Sequence, residues 1–253
     1  MTNQPLDISL NKTARIAGIL YLTIIATGIF AEMFVRSNLI VPGDAATTAA
    51  NIQASEGLYR MGIVSDMIMI MCDVAVGLAF YVLLRPVSRV LALLAAFFRL
   101  AQAATLGINL LNLLIALQLV NGAPYLNVVG SEQLQAQAML FLNAHSAGYA
   151  IALVFFGFSI LILGSLIVRS GYIPRILGFL LLFASVGYLV DSTASFLLPN
   201  YEAYATAFAV VVFVPALIGE LAIALWLLVK GVDVQPRPDK SSTRADQVTR
   251  VAA

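Results

Sequence analysis

In the apolar run "LAAFFRLAQAATLGINLLNLLIALQLV", from Leu94 to Val120, one residue carries a permanent charge, Arg99. A charged side chain at the centre of a bilayer costs about 2.5–3.5 kcal/mol on insertion scales. Such a group persists where it pairs, lines water or does work. Depth follows from counting inward from each run's flanking Arg or Lys. Arg99 lies ten residues past Arg89, Asp73 twelve before Arg85, and Glu220 ten before Lys230. At 1.5 Å per residue these are depths of about 15, 18 and 15 Å. Arg99 is therefore expected to face Asp73, with Glu220 as second candidate partner. By the same count Glu32, Asp191 and Asp66 reach about 25, 24 and 28 Å. Three carboxylates from three different runs are expected at one level, with no basic residue of the runs at that height. Asn109, Asn112 and the single histidine, His145, lie near the same outer boundary. This excess of acid requires that some carboxylates hold a proton, meet water or bind a cation.

Sharper chemistry is weakly served. One histidine and one cysteine, Cys72, cannot build a zinc site of usual ligand number; His145 with Asp66 and Asp191 is the one arrangement left, and a hydrogen-bonded histidine is the simpler reading. Ser146 follows His145 directly, and adjacent residues on a helix do not face each other, so they cannot form a dyad. The sequence lacks G-x-S-x-G, Walker A, H-E-x-x-H and dinucleotide fingerprints, and a lone histidine offers haem one such axial ligand at most. No metal or cofactor is expected, and Cys72 has no partner for an intrachain disulfide. The net charge of +1 carries no nucleic-acid signal, and no nucleic-acid partner is expected.

The elements that must position these residues are set by composition. Of 253 residues 61% are hydrophobic and 11% charged, with mean hydropathy +0.94; a soluble chain has about 25% charged residues. Too little polar surface remains to cover a water-soluble body, so the chain reads as an all-α integral membrane protein whose partner is the lipid bilayer. Six runs reach the roughly 20 residues needed to cross a bilayer core: Ala14–Val35, Met61–Leu84, Val90–Val120, Gln137–Val168, Pro174–Leu198 and Tyr204–Val229. None alternates as a barrel strand would. The third and fourth are over-long and must tilt or project. The first is too long for a signal h-region and follows a polar start, so no cleaved leader is expected. Domain organisation reads as a polar segment 1–13, a six-helix domain 14–230 and a disordered tail 231–253.

Lys12, Arg15, Arg85, Arg89, Arg169, Arg175, Lys230 and the basic residues of the tail (Arg237, Lys240, Arg244 and Arg250) flank one side of these runs; only Arg36 and Arg60 occur on the other, both beside the first outer loop, and the two later outer loops carry none. Both termini are thus expected in the cytoplasm, the membrane being the bacterial inner membrane. Asp44 and Ser131 are expected helix caps in the outer loops, where a short helix could cover a cavity mouth or lie flat as a surface helix. Pro215, five residues before Glu220, interrupts the last run, as a site-forming break or an ordinary kink. The openings "RIAGILYL", "RVLALLAA" and "RILGFLLL" echo one another; three repeated hairpins or the positive-inside rule acting on Leu-rich helices would each produce this.

"RIAGILYL", "IVPGDAATTAANI", "YVLLRPVSRVLALLAAFFRL", "VFFGFSILILGSLIVRSGYIPRILG" and "GYLVDS" together resemble the bacterial multi-pass proteins of domain of unknown function 4386, over roughly Arg15 to Lys230. The resemblance implies that Arg36, Asp44, Arg99, the "RSGYIPR" turn and Asp191 belong to a shared pattern; it supplies no catalytic residue. The function expected from the residues is binding or transport of a small molecule or cation at a polar intramembrane site open to the outer face. Asp66, Asp73, Arg99 and Asp191 would line it, with Glu32, Glu220 and His145 as further candidates. Six spans is small for a carrier, so a homo-oligomer is the expected working form. The alternatives are an accessory or scaffold protein whose ion pair only fixes packing and, third, an intramembrane enzyme.

Overall fold

The computed structural model describes residues 10–232. The first nine residues of the expected polar segment, and the expected tail from 233 on, lie outside the described residues. The described chain is helical throughout, without strands. In chain order α1 is Leu10–Leu39, α2 Ala45–Ala54, α3 Glu56–Leu84, α4 Arg89–Asn121, α5 Ser131–Ser170 and α6 Arg175–Leu197. The last helix, α7, joins Ala205–Phe208, a π-helical Ala209–Phe213 and Val214–Val229. All but α2 are long and apolar enough to cross a membrane, so this is a multi-pass membrane protein of six spans. Side chains such as Leu78, Ile108, Phe183 and Val211 point outward, where an apolar exterior meets lipid tails.

Each span packs against the next in sequence, and α7 returns to α1, closing a six-membered ring. Lipid is as apolar as leucine, so association depends on close packing and interhelical hydrogen bonds. Both are present. A Cβ added to Gly18 of α1 would lie 2.6 Å from the Leu228 backbone nitrogen and 2.7 Å from the Ala224 carbonyl of α7. Gly164 of α5 and Gly178 of α6 meet in the same manner, each Cβ position 2.8 Å from the other's carbonyl oxygen. Hydroxyls donate across helices to backbone carbonyls: Ser65 to Thr27 at 3.0 Å, Ser159 to Ala95 at 2.8 Å and Tyr59 to Leu113 at 3.1 Å.

Among the described residues three apolar clusters fill the ring, a small one being Phe156, Ile160, Ala184 and Ala216, and the two larger ones lie toward its ends. One, at the end holding Lys12, Arg85, Arg175 and Lys230, gathers Ala14, Leu83, Leu166, Ile167 and Leu227. The other, at the far end, joins Val35, Tyr59, Leu117 and Leu142 to Ile52 of α2. At 40 residues and 1.5 Å per residue, α5 extends about 60 Å and projects well beyond a core of about 30 Å. Its projecting turns carry Leu134 and Ala138 into the far cluster.

Asp44 caps α2 as its position predicts, accepting from Thr47 N at 2.9 Å and Thr47 Oγ1 at 2.7 Å. Those bonds hold its carboxyl below the usual aspartate range. Ser131 does not cap α5. The helix already includes it, and Gly130 takes the cap position without a side-chain acceptor. Pro215 falls in the first turn of Val214–Val229, where a missing N–H is tolerated, and the π-helical residues before it absorb the break.

Candidate functional site

Asp73 on α3 and Arg99 on α4 meet inside the ring. Arg99 donates from Nε at 2.9 Å and Nη2 at 2.5 Å to the same oxygen, Asp73 Oδ1. Gln102, three residues on and therefore on the same helix face, donates from Nε2 to Asp73 Oδ2 at 2.9 Å. The ion pair is buried: Asp73 is 1% exposed and Arg99 2%. The guanidinium carbon lies 5.1 Å from the Tyr21 ring centre and 4.9 Å from that of Phe156, a favourable cation–π arrangement in a dry setting. Glu220, the other candidate partner, is bonded differently: Tyr188 Oη donates to Glu220 Oε1 at 2.7 Å, and the Tyr188 ring meets Phe156 edge-on at 5.1 Å.

A second ion cluster lies toward the far end. Arg36 donates from Nε to Glu32 Oε2 at 2.7 Å and from Nη1 to Asp66 Oδ2 at 2.5 Å. The expectation that no base shares the level of these acids is therefore corrected. Arg36 sits four residues past Glu32 within the π-helical stretch Phe30–Arg36, is buried, and turns into the bundle instead of outward to the loop. Asp66 is buried with it, whereas the Glu32 side chain is 61% exposed. Asp191 stands apart from both. Its Oδ1 accepts from Tyr201 Oη at 2.7 Å, so the expected triad of outer acids is a pair on Arg36 and a separate residue at the end of α6. Among the described residues no three His, Cys, Asp or Glu side chains are grouped to hold a metal ion, and His145, Asp66 and Asp191 do not assemble.

His145 joins α5 to α4. Asn109 Nδ2 donates to the His145 carbonyl at 2.9 Å, and His145 Nδ1 lies 3.4 Å from the Asn109 carbonyl. Asn112 donates to Asn109 Oδ1 at 2.9 Å. A carbonyl only accepts, which assigns the proton to Nδ1 and leaves Nε2 an acceptor.

Between these groups is a cavity of about 560 Å³, to which all six spans contribute. Asp73, Gln102 and Glu220 line its deep part, and Glu32, Arg36 and His145 its upper part. On α1 the lining runs from Ile24 to Ser37, about 20 Å of helix. Asp66, Arg99 and Asp191 are not on this wall; the first two act from behind it by holding Arg36 and Asp73. Three buried lining groups carry an atom without a hydrogen-bond partner among the described residues: Arg36 Nη2, Gln102 Oε1 and His145 Nε2.

Gln102, Tyr188, Arg36 and Tyr149, which lines the cavity with its ring centre 6.0 Å from the Arg36 guanidinium carbon, are site residues that counting depths of charge does not find. Two signals for them are present in the sequence: a polar residue at i+3 from Arg99, and a Glu32–Arg36 pair at i,i+4. The tyrosines carry no such signal, since an aromatic residue in an apolar helix reads as packing.

Comparison with known proteins adds lineage. No solved structure matches the chain. A relative from the archaeon Archaeoglobus fulgidus, described as an uncharacterized protein, is 32% identical over 169 residues, which is 67% of this chain and 83% of the relative. The likeness is thus not confined to bacteria. The sequence profile of the family described as domain of unknown function (DUF4386) matches residues 16–231, nearly the whole six-helix ring that encloses the cavity, and the chain belongs to that family.

Proposed function

We propose that this protein is a binding or transport-type membrane protein whose cavity takes up a small positively charged molecule from the outer face of the cytoplasmic membrane. The observation that carries the reading is the charge around the cavity. Four carboxylates (Glu32, Asp66, Asp73 and Glu220) surround two guanidiniums, Arg36 and Arg99. Asp66 and Asp73 are matched by the arginines. Glu32 and Glu220 line the cavity and leave it acidic. In a low-dielectric surround such an imbalance attracts a cation. The basic residues at the opposite end of the ring support a cytoplasmic location for both termini, which turns the upper cavity outward.

The burial of Arg99 and Asp73 favours a second reading, a scaffold whose ion pair only pins α3 to α4. Cysteine reactivity separates the two. In a Cys72→Ala background, Ser146→Cys and Leu153→Cys place thiols on the cavity wall, and Val190→Cys places one on the outward face of α6. Membrane-impermeant methanethiosulfonates, added from outside, should react at the two wall positions and not at Val190→Cys. The reagent with a quaternary ammonium should react faster than the one with a sulfonate. Unreactive wall positions would leave the scaffold reading; a faster sulfonate would overturn a cationic ligand.

A further inference from the structure

The cavity wall is mostly apolar, and its polar groups are confined to the floor and one edge. Ile25, Ile29 and Met33 line the cavity from α1, and Phe213 and Leu217 line it from α7. In the lower half the same two helices touch at Gly18. In the upper half each contains a π-helical stretch, Phe30–Arg36 and Ala209–Phe213, and the two stretches are not closely packed on each other. Met33 and Phe213 line the cavity and are 53% and 42% exposed, more than an enclosed wall would leave them. The cavity is therefore a slot between α1 and α7, facing the side where lipid would lie. The far-end helix α2 does not cover it, since α2 packs over α4 and α5 and Gln53 Nε2 donates to the Val120 carbonyl at 2.6 Å.

We infer that the ligand is a single-chain amphipathic amine, its N–H-bearing ammonium held at the floor by Glu220 and Gln102 and its apolar tail lying in the slot between α1 and α7. This deepens the reading above and rests on it. The unpartnered Gln102 Oε1 and His145 Nε2 are both acceptors, and Glu220 is acceptor-only when ionised. An ammonium carrying N–H groups supplies donors and charge together, which a quaternary ammonium or an alcohol does not. The third unpartnered atom, Arg36 Nη2, belongs to a guanidinium already facing Glu32 and Asp66. The enclosed volume lies within the range of about 300–1,000 Å³ typical of small-ligand sites, suited to one chain.

The test uses the full chain in phosphatidylcholine nanodiscs, with Leu153→Cys in the Cys72→Ala background, and reads protection from the cationic thiol reagent. The probes are decylamine, decyltrimethylammonium, decanol and butylamine. Decylamine should half-protect at a concentration at least about tenfold lower than any other probe, the effect of one charge-assisted hydrogen bond or of the lost tail. Glu220→Gln, whose amide oxygen still accepts from Tyr188, should remove that advantage while leaving the melting temperature close to the parent's. Ile29→Trp should fill the slot and weaken decylamine, not butylamine. If butylamine protects as well as decylamine, cation binding stands and the amphiphile is wrong. Decyltrimethylammonium or decanol equal to decylamine would overturn the role of N–H donors or of charge. If phosphatidylethanolamine added to the discs protects as well, the occupant is a two-chain lipid headgroup and the single-chain inference fails. A reactive thiol that no probe protects overturns both readings.

Discussion

Arg99 and Asp73 illustrate how a residue's neighbours decide what its charge does. Removing the guanidinium alone leaves a carboxylate that is 1% exposed with only Gln102 Nε2 as donor. Breaking a buried pair from one side typically costs about 3–5 kcal/mol, whereas replacing both partners by apolar groups is often neutral. Arg99→Leu should therefore lower thermal stability in detergent more than the double variant Arg99→Leu/Asp73→Leu does. Melting curves of the parent, both singles and the double decide it; additive losses would mean that the pair contributes nothing as a pair. The meeting of these two side chains was legible because hairpin neighbours share a depth scale fixed by helical rise. Arg36 was not, because a basic residue at a span's end reads as a loop charge until the path of α1 beyond Phe30 is known. Tyr201 holding Asp191 was not legible either, since that contact depends on how the chain folds back after α6.

At the level of elements, the fold departs from plain helices in a few places, and each has a local cause. Gly18, Gly164 and Gly178 bring backbones together where a methyl group would collide. Their spacing gives no hint of which helix each one meets. The π-helical stretches of α1 and α7 are invisible to hydrophobic periodicity, although Pro215 marks the second as a place where the ladder must give. The cap at Asp44 was legible, because an Asp directly before a run of small residues is a local signal. Its consequence is a pH dependence confined to α2. A carboxyl whose native value is depressed adds stability that is present above its unfolded value and is lost as pH falls through the native one. Hydrogen exchange at the Thr47 and Thr48 amides should accordingly accelerate as pH falls below about 4, after correction for intrinsic rates, and in Asp44→Ala at neutral pH. Exchange at α4 amides near Leu113 should stay unchanged in both. Equal protection of Thr47 in parent and variant would remove the cap from the account of α2.

The whole molecule is a ring closed tightly at its basic end and parted between α1 and α7 at the other. That asymmetry gives the direction of insertion its functional weight, because it decides which side of the membrane the acidic cavity faces. Every turn at the tight end is flanked by Lys or Arg: Lys12 and Arg15, Arg85 and Arg89, Arg169 and Arg175, Lys230. At the open end Arg36 is buried against Glu32 and Asp66, and Arg60 is paired with Glu56 at 2.6 Å. These two are outnumbered by the Lys and Arg of the tight end, which favours that end in the cytoplasm. A reporter fused after Ala253 should therefore read as cytoplasmic, and one inserted at Gly130, between α4 and α5, as external. Arg36→Gln should leave both readings unchanged, since the charge it removes is internal. The reverse pattern would turn the cavity toward the cytoplasm, and the same acidic wall would then face solutes made inside the cell. Identical readings at the two sites would contradict a six-span crossing altogether.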